Sequence, residues 1–357
     1  MVDAVIMAGG SGTRFWPMST RSNPKQFHRL FGSGTMLQNT AKRIEPIISQ
    51  DRLMVVTNER YCDVVAKQLP KMPINQIIGE PVAKNTAPCV AIAAALLHHK
   101  DPDATMVVLP ADHHITDEEG FIAILEQAIE AAEKEGVLVT IGITPSFPET
   151  GFGYIESEKG AMESSARKVL AFKEKPDLAT AEKFLASGNY YWNSGMFVWK
   201  ASTVLKAIQQ HLPGMYELLE QVKPEFGTSM EPLAIKDFYM DTESISIDYG
   251  IMESSENVLV VPGDFGWNDV GSWSAVYELT DKDTSGNALQ SIYHTVAGSS
   301  NNLLMSSGEK MIALVGMENT AVIETEDSIL ICNLNHSQGV KQVVEHLSSR
   351  DDLKKFS

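Results

Sequence analysis

Apolar residues along the 357-residue chain fall into two kinds of pattern, and the change between them divides it. Over the first half, short β-branched runs alternate with segments that repeat every 3.6 residues. That is the habit of a parallel sheet whose strands are buried on both faces and covered by helices. Residues 3–7, 53–57, 105–109 and 137–142 read as such strands, and 76–79 as a weaker one. Between them Phe121, Ile124, Leu125, Ala128, Ile129 and Ala132 keep helical spacing, with Thr116 and Glu119 ahead of them in a capping-box relation. NTAPCVAIAAALLHH, from Asn85, predicts a second helix, opened by a polar cap and a proline in its first turn. From about 150 to 265 the pattern is mixed: a glycine-rich hairpin (TGFGYIES), a strand (KVLAFKEKP), a helix from Asp177, a strand (SGMFVWK) and further helices. An antiparallel edge on the main sheet suits them. After Leu279 short alternating stretches (KMIALVG, TAVIETE, SILICNL) predict a small all-β unit, compatible with a few β-coils, and the polar tail from Ser337 predicts a closing helix.

Composition alters this picture little and charge alters it more. With 43% hydrophobic and 21% charged residues the chain is an ordinary folded, soluble type, long enough for two or three domains. Forty-six acids against 29 bases give a net charge of −17, which argues against a nucleic-acid coat or an anionic membrane surface, so any phosphate has to be held locally. No segment approaches the roughly 20 apolar residues of a membrane span. The start, MVDAVIMAGG, lacks the basic residues of a secretory signal. Cys62, Cys89 and Cys332 are odd in number and without metal-ligand spacing; reduced thiols and a cytoplasmic location are expected.

The first predicted strand runs into AGGSGTR, and that junction has the physics of a phosphate cradle: glycines allow positive φ and close approach, and successive N–H groups point at an anion. Two common loops do not fit it. The Walker A pattern needs Lys-Ser or Lys-Thr after its last glycine, and neither follows Gly12. The dinucleotide fingerprint fits Gly10 and Gly12 but then meets Phe15, with no acid about 20 residues on at the end of a second strand. GGSG alone reads equally as a tight turn; Arg14 and the later PKQF set it apart.

Together, A-G-G-x-G-T-R-x-x-P and P-K-Q resemble the N-terminal motif of the sugar nucleotidyltransferases. EPVAKNTAP (80–88), LPADHHI (109–115), TGFGYIE (150–156), FKEKP (172–176), WNSGMFVW (192–199), SIDYGIME (246–253) and GWNDVGSW (266–273) follow in order. Residues 1–280 thus resemble the mannose-1-phosphate guanylyltransferase family throughout. The departures are Lys84, where that family commonly shows Arg, and Phe152, where Tyr is frequent; neither removes a needed charge.

The resemblance implies an α/β fold: a Rossmann-like nucleotidyltransferase domain with a mixed, mainly parallel sheet over residues 1–280. A small C-terminal β domain, short and left-handed β-helix-like, would follow over 281–357 and end in a helix. It implies transfer of GMP from GTP to α-D-mannose 1-phosphate, giving GDP-mannose and pyrophosphate, with Mg²⁺ as cofactor. The nucleophile is already anionic, so positioning and charge neutralisation should dominate. A homodimer is left open, with the C-terminal β unit a suitable surface or lid. Many bacterial relatives continue into a cupin-type phosphomannose isomerase domain; with the chain ending at Ser357, no isomerase activity is expected.

Residue by residue, the motifs place Arg14 and Lys25 on the departing β- and γ-phosphates and the backbone of Ala8, Gly9, Gly10, Ser11, Gly12 and Thr13 over the triphosphate. Asp112 and Asp269 resemble the family's metal-binding aspartates; Asp264 is the alternative second ligand, and a helix cap is the other duty open to Asp269. Lys175 is assigned to the phosphate of mannose 1-phosphate, Glu174 to sugar hydroxyls, and Gly153, Glu156 and Asn193 to the sugar pocket. Asn85 and Thr86 open a helix whose amides suit a ribose or base edge, a cap being their other role. Glu80, or the backbone near Ala8, suits the guanine amine and imide. For Asp248, core support stands level with ligand contact. His113 and His114, without a second pair at ligand spacing, read as structural or peripheral. The competing functions are a sister nucleotidyltransferase with another base or hexose and a catalytically silent regulatory homologue. The joint presence of Arg14, Lys25, Asp112, Lys175 and Asp269 argues against the silent one.

Overall fold

A computed structural model describes residues 1–10, 12–134, 136–159 and 166–357. Its strands are β1 (Val2–Met7), β2 (Leu53–Asn58), β3 (Ile77–Glu80), β4 (Thr105–Pro110), the two-residue β5 (His114–Ile115), β6 (Leu138–Ile143), β7 (Gly153–Ser157), β8 (Arg167–Glu174), β9 (Tyr190–Lys200), β10 (Val258–Gly263) and the short β11 (Trp267–Asn268). After these come β12 (Ala288–Gln290), β13 (His294–Ala297), β14 (Leu303–Ser306), β15 (Ile312–Val315), β16 (Thr320–Glu324) and β17 (Ile329–Asn333). The helices are α1 (Met36–Ile44), α2 (Cys62–Gln68), α3 (Thr86–Lys100), α4 (Glu118–Ala132), α5 (Leu178–Ser187), α6 (Ala201–His211), α7 (Pro213–Val222), α8 (Glu231–Asp241), α9 (Trp273–Leu279) and α10 (Val340–Ser349). Among the described residues no helix is long and apolar enough to cross a membrane.

The chain packs into two compact units. The first comprises Met1–Gly9, Thr40–Ala111 and Ile115–Trp267; the second comprises Gly10–Asn39, Asp112–His114 and Asn268–Ser357. This grouping differs from a linear division at residue 280. The segment after the glycine loop belongs with the C-terminal residues because Phe15, Leu30 and Met36 bury in one cluster with Val270, Trp273, Leu303 and Ile323.

In the first unit a nine-stranded sheet runs in the order β3-β2-β1-β4-β9-β6-β10-β8-β7. β1 pairs in parallel with β2 and β4, β2 with β3, and β6 with β10. The antiparallel edge expected from the sequence exists as β7 and β8. The SGMFVWK segment, however, is inserted antiparallel between β4 and β6 as the second half of β9, while the start of that strand, Tyr190–Trp192, pairs antiparallel with β7. Met196, Phe197, Val198 and Trp199 are all buried, and four consecutive apolar side chains require cover on both faces, which only an interior position provides. One face is covered by α3, buried around its whole circumference from Ala87 to Ala95, with α6, α7 and α8 packed beside it. On α4, Phe121, Leu125, Ala128 and Ala132 face inward as the spacing predicts. Its cap is Asp117, whose Oδ1 accepts from the Gly120 N–H at 2.9 Å. The capping box from Thr116 does not form, and the Thr116 backbone N–H instead bonds the Gly266 carbonyl.

In the second unit β12, β14 and β16 stack in parallel register, with Ala288, Leu303 and Ala321 in line, while β13 pairs in parallel with β15. These are the β-coils. Asn302 ties successive coils by donating from Nδ2 to Asn287 Oδ1 and accepting from the Thr320 N–H at Oδ1. The rungs β12 to β14 escaped the sequence reading because they are only three or four residues long, too short for an alternating pattern to show.

Candidate active site

Beyond β1 the chain turns through Gly10 at φ 93° and Gly12 at φ 54°. Gly12 has a second reason to be glycine: a Cβ there would stand 2.7 Å from Ser19 Oγ and 2.8 Å from Lys25 Cβ. Any side chain would push the loop off the lysine segment. Ser11 lies outside the described residues. Thr13–Phe15 make one 3-10 turn that buries Phe15 and leaves Arg14 exposed.

Lys25 is buried at 5% exposure. Its ammonium pairs with Asp112 Oδ2 at 2.7 Å and donates to the Asp269 and Val270 carbonyls at 3.0 and 3.1 Å, a full set for three N–H donors. The sequence expects this lysine on phosphate; here it is fully engaged in tying Asp112 to the Asp269–Val270 turn. Val270 sits at φ 50°, a region a β-branched residue enters only under restraint. The restraint is visible: its N–H donates to Asn268 Oδ1 at 2.7 Å and its carbonyl is held by Lys25. Ser272, and not Asp269, caps α9 by accepting from the Ala275 N–H. Burial works to raise the Asp112 carboxyl, but Lys25 and His113 beside it outweigh burial and hold it below the usual carboxylate range.

Arg14, Lys25, Asp112, His113 and Asp269 line one cavity of about 280 Å³ together with Gly12 and Thr13. Asp264 is not among its lining residues. Among the described residues no cluster of three or more His, Cys, Asp or Glu could hold a metal alone. Two aspartates lining one cavity, with no cysteine or methionine among its lining residues, fit a hard ion that keeps water and takes phosphate oxygens as further ligands, the preference of Mg²⁺. Of the two histidines, His114 packs on the Phe31 ring at 4.2 Å, whereas His113 forms part of the cavity wall, a role the sequence did not disclose.

A separate group of polar side chains shares one face of the sheet in the first unit. β7 and β8 pair Gly153 with Glu174. A Cβ on Gly153 would stand 2.5 Å from Glu174 Oε1 and 3.4 Å from Asn193 Cβ, so this glycine is the notch in which the carboxylate lies. Asn193 donates from Nδ2 to Asp248 Oδ1 at 2.6 Å and accepts at Oδ1 from the Gly195 N–H, which fixes the amide orientation. Asp248 therefore joins the sugar-pocket candidates; burial pushes its carboxyl up, Asn193 acts against that, and the Glu174 charge adds to it. Lys175, at φ 43°, reaches Glu174 Oε2 at 3.4 Å and is 65% exposed. Glu156 is not brought to this group. Strand alternation turns it to the other face with Tyr154, where Phe184 packs against Tyr154 and Tyr190. Burial and a bond to Glu156 push the Tyr190 hydroxyl up to about 12.

The start of α3 is sealed. Asn85 Oδ1 accepts from the Thr86 N–H, the Ile245 carbonyl accepts from the Ala87 N–H, and Pro88 has no N–H to offer. Thr86 Oγ1 accepts from the Ile247 N–H. Asn85 and Thr86 thus serve as cap and clasp, and the amides the sequence offered to a ribose are taken. At the carboxyl ends of the parallel strands, the Ala8 N–H is likewise bound to the Val56 carbonyl. Glu80, ending β3, lies beside Gly9, whose Cβ would stand 3.7 Å from Glu80 Oε2. Burial raises the Glu80 carboxyl from 4.5 to about 7, with the Tyr239 hydroxyl acting against the rise.

The chain matches known proteins along nearly its whole length. The family described as Nucleotidyl transferase matches residues 3–286, and the family described as MannoseP isomerase/GMP-like beta-helix domain matches residues 294–347. A protein named mannose-1-phosphate guanylyltransferase from Klebsiella pneumoniae is 40% identical over 355 residues, covering 97% of this chain and 74% of its own length. The Xanthan biosynthesis protein XanB of Xanthomonas campestris pv. campestris is 41% identical over 349 residues, covering 97% of this chain and 73% of its own. Among solved structures, a "mannose-1-phosphate geranyltransferase" from Thermus thermophilus superposes with a TM-score of 0.86 at 32% identity, covering 97% of this chain and 99% of that one.

Proposed function

The chain belongs to the nucleotidyl transferase family, and from that premise we propose that it works as a mannose-1-phosphate guanylyltransferase, joining GTP and mannose 1-phosphate into GDP-mannose. An oxygen of the sugar phosphate forms a bond to the α-phosphorus of GTP. The bond from that phosphorus to the bridging oxygen breaks in line, and pyrophosphate leaves with the electron pair. Both partners are polyanions, so the work of the protein is to gather positive charge and hold the reacting oxygens in line.

The observation that best supports this reading is the convergence of Arg14, the Lys25–Asp112 pair and Asp269 on the cavity beneath the glycine loop. Arg14 is an exposed cation there and takes the β- and γ-phosphates. Lys25 sets the Asp112 carboxylate and the strained Val270 turn, so that two aspartates face the cavity in fixed positions. Asp112 and Asp269 would hold Mg²⁺, which when bound supplies charge neutralisation to the phosphate oxygens. On the sheet of the first unit, Glu174, Asn193 and Asp248 accept from or donate to sugar hydroxyls, and Lys175 takes the sugar phosphate.

Pyrophosphate release from GTP with mannose 1-phosphate, compared with glucose 1-phosphate and with the other triphosphates, tests the reading; equal rates across the set would reject it. For Lys175→Ala the Michaelis constant for mannose 1-phosphate is expected to rise roughly tenfold, as for loss of one charge-assisted contact, with that for GTP changed less than about twofold. Lys175 is largely exposed and its pairing with Glu174 is weak, so melting should be unaltered. An unchanged sugar-phosphate constant removes Lys175 from the site.

A further inference from the structure

The C-terminal helix brings a cation into the phosphate cavity that none of the motifs contains. Lys341, on α10, lines the same cavity of about 280 Å³ as Arg14, Lys25, Asp112 and Asp269. It also lines an adjoining cavity of about 450 Å³, whose wall includes Thr13, Arg21 and Ser348, so that Thr13 and Lys341 are common to both. All of these residues belong to the second unit.

Several features fix this placement. Val340 and Val344 are the buried face of α10, which sets Lys341, Glu345 and Ser348 in the neighbouring stripe at i, i+4 and i+7. The segment after the glycine loop clasps the same end of the chain: Trp16 Nε1 donates to the Phe356 carbonyl at 2.7 Å, and Arg21 Nη2 donates to Ser348 Oγ at 3.3 Å. Lys341 stands in the first turn of α10, with no acid in that turn. A cation there runs against the helix macrodipole. Its ion pair with Glu345 is 3.6 Å long with both side chains about 60% exposed, too solvated to offset that reliably. Lys25, by contrast, has its three donors engaged within the protein, so Arg14 and Lys341 are the cavity's exposed cations.

We infer that Lys341 binds the pyrophosphate moiety, as the terminal phosphates of the triphosphate before transfer and as free pyrophosphate after it, and that the adjoining cavity flanked by Arg21 receives that product. The inference rests on the proposed transfer reaction. It makes the β-coil unit a contributor to the chemistry through its closing helix.

The test is the reverse reaction on the full chain, GDP-mannose plus pyrophosphate, together with product inhibition of the forward reaction by pyrophosphate. In Lys341→Ala the Michaelis constant for pyrophosphate and its inhibition constant should both rise five- to tenfold, with that for mannose 1-phosphate within twofold. Lys341→Arg should restore most of the affinity. Glu345→Gln should leave pyrophosphate binding unchanged or tighten it. Unchanged pyrophosphate constants in Lys341→Ala, or a Glu345→Gln variant that reproduces the Lys341→Ala defect, would overturn the inference and leave Lys341 a helix-surface ion pair. A wild-type chain unable to form GTP from GDP-mannose and pyrophosphate would reject the transfer reaction itself, and this role with it.

Discussion

Asp112→Asn is expected to lower turnover roughly 10²–10³-fold, the scale of losing one preorganised electrostatic partner of a transferring phosphoryl group. The substitution keeps the shape and an oxygen that accepts from Lys25, so the 2.7 Å contact can persist while the charge disappears. Asp112 is 36% exposed on its side chain, and the stability lost should be only about 1 kcal/mol after screening. The acid limb checks the pairing separately. The wild-type carboxyl is held below the usual range, so its contribution is present above the ordinary carboxylate range and is lost as pH falls through the lowered value. Asp112→Asn should lack that acid-dependent loss. Two roles can be told apart by titrating Mg²⁺. If Asp112 donates an oxygen to the ion, the apparent metal requirement rises with the fall in turnover; if it only holds Lys25, the requirement stays put. Because Asp269 lines the same cavity, the double variant Asp112→Asn/Asp269→Asn should be scarcely worse than either single one, as for groups that act as a unit.

How far these side chains could be foreseen follows from what kind of information placed them. β1, β2, β4 and β6 and the inward faces of α3 and α4 were legible because burial on both faces of a strand, or along one stripe of a helix, is written directly as apolar spacing. The central position of β9 was not, since a run such as MFVW requires burial on two sides without naming the neighbours. The α4 cap moved from Thr116 to Asp117 because two oxygen-bearing side chains stand side by side and only backbone geometry chooses between them. In the site, motif order brought Gly12, Lys25, Asp112 and Asp269 to attention, but it cannot count donors. That Lys25 is fully engaged, or that the α3 amides are sealed by Asn85 and Ile245, depends on contacts from distant segments. Glu156 was drawn in by the TGFGYIE motif, but it sits three residues from Gly153, an odd separation that puts it on the opposite side of the strand. SIDYGIME drew attention to Asp248 without deciding its role and Lys341 carries no local signal; each is placed by packing, Asp248 by Asn193, Lys341 by the buried Val340 and Val344 beside it.

Glu80→Gln is expected to abolish guanine selection while making the protein more stable at alkaline pH. With the Ala8 N–H bound to Val56, the role proposed for the Glu80 carboxylate, which lies beside Gly9, is to accept from the two adjacent N–H donors of guanine. An amide would present one acceptor and one opposed donor to them. A site built on such bonds discriminates strongly, so kcat/KM for GTP should fall roughly 10²-fold or more and the preference over ATP should collapse. In the wild type, with the carboxyl at about 7, kcat/KM for GTP should decline as pH falls below neutrality, because the protonated group accepts with one oxygen only; in Glu80→Gln that dependence should be flat. The stability argument has the opposite sign. The folded pKa is raised above the ordinary 4.5, so the native state binds the proton more tightly than the unfolded chain. The resulting stability is complete below about 4.5 and is lost as pH rises through about 7. That loss approaches about 3 kcal/mol by the size of the shift, and Cys89 and Tyr239, themselves pushed up by burial, remain neutral and bring no opposite charge. Glu80→Gln removes the ionisation, and its melting temperature should overtake that of the wild type progressively across that interval. Unchanged selection between GTP and ATP would take guanine reading away from Glu80, whatever the melting curves do.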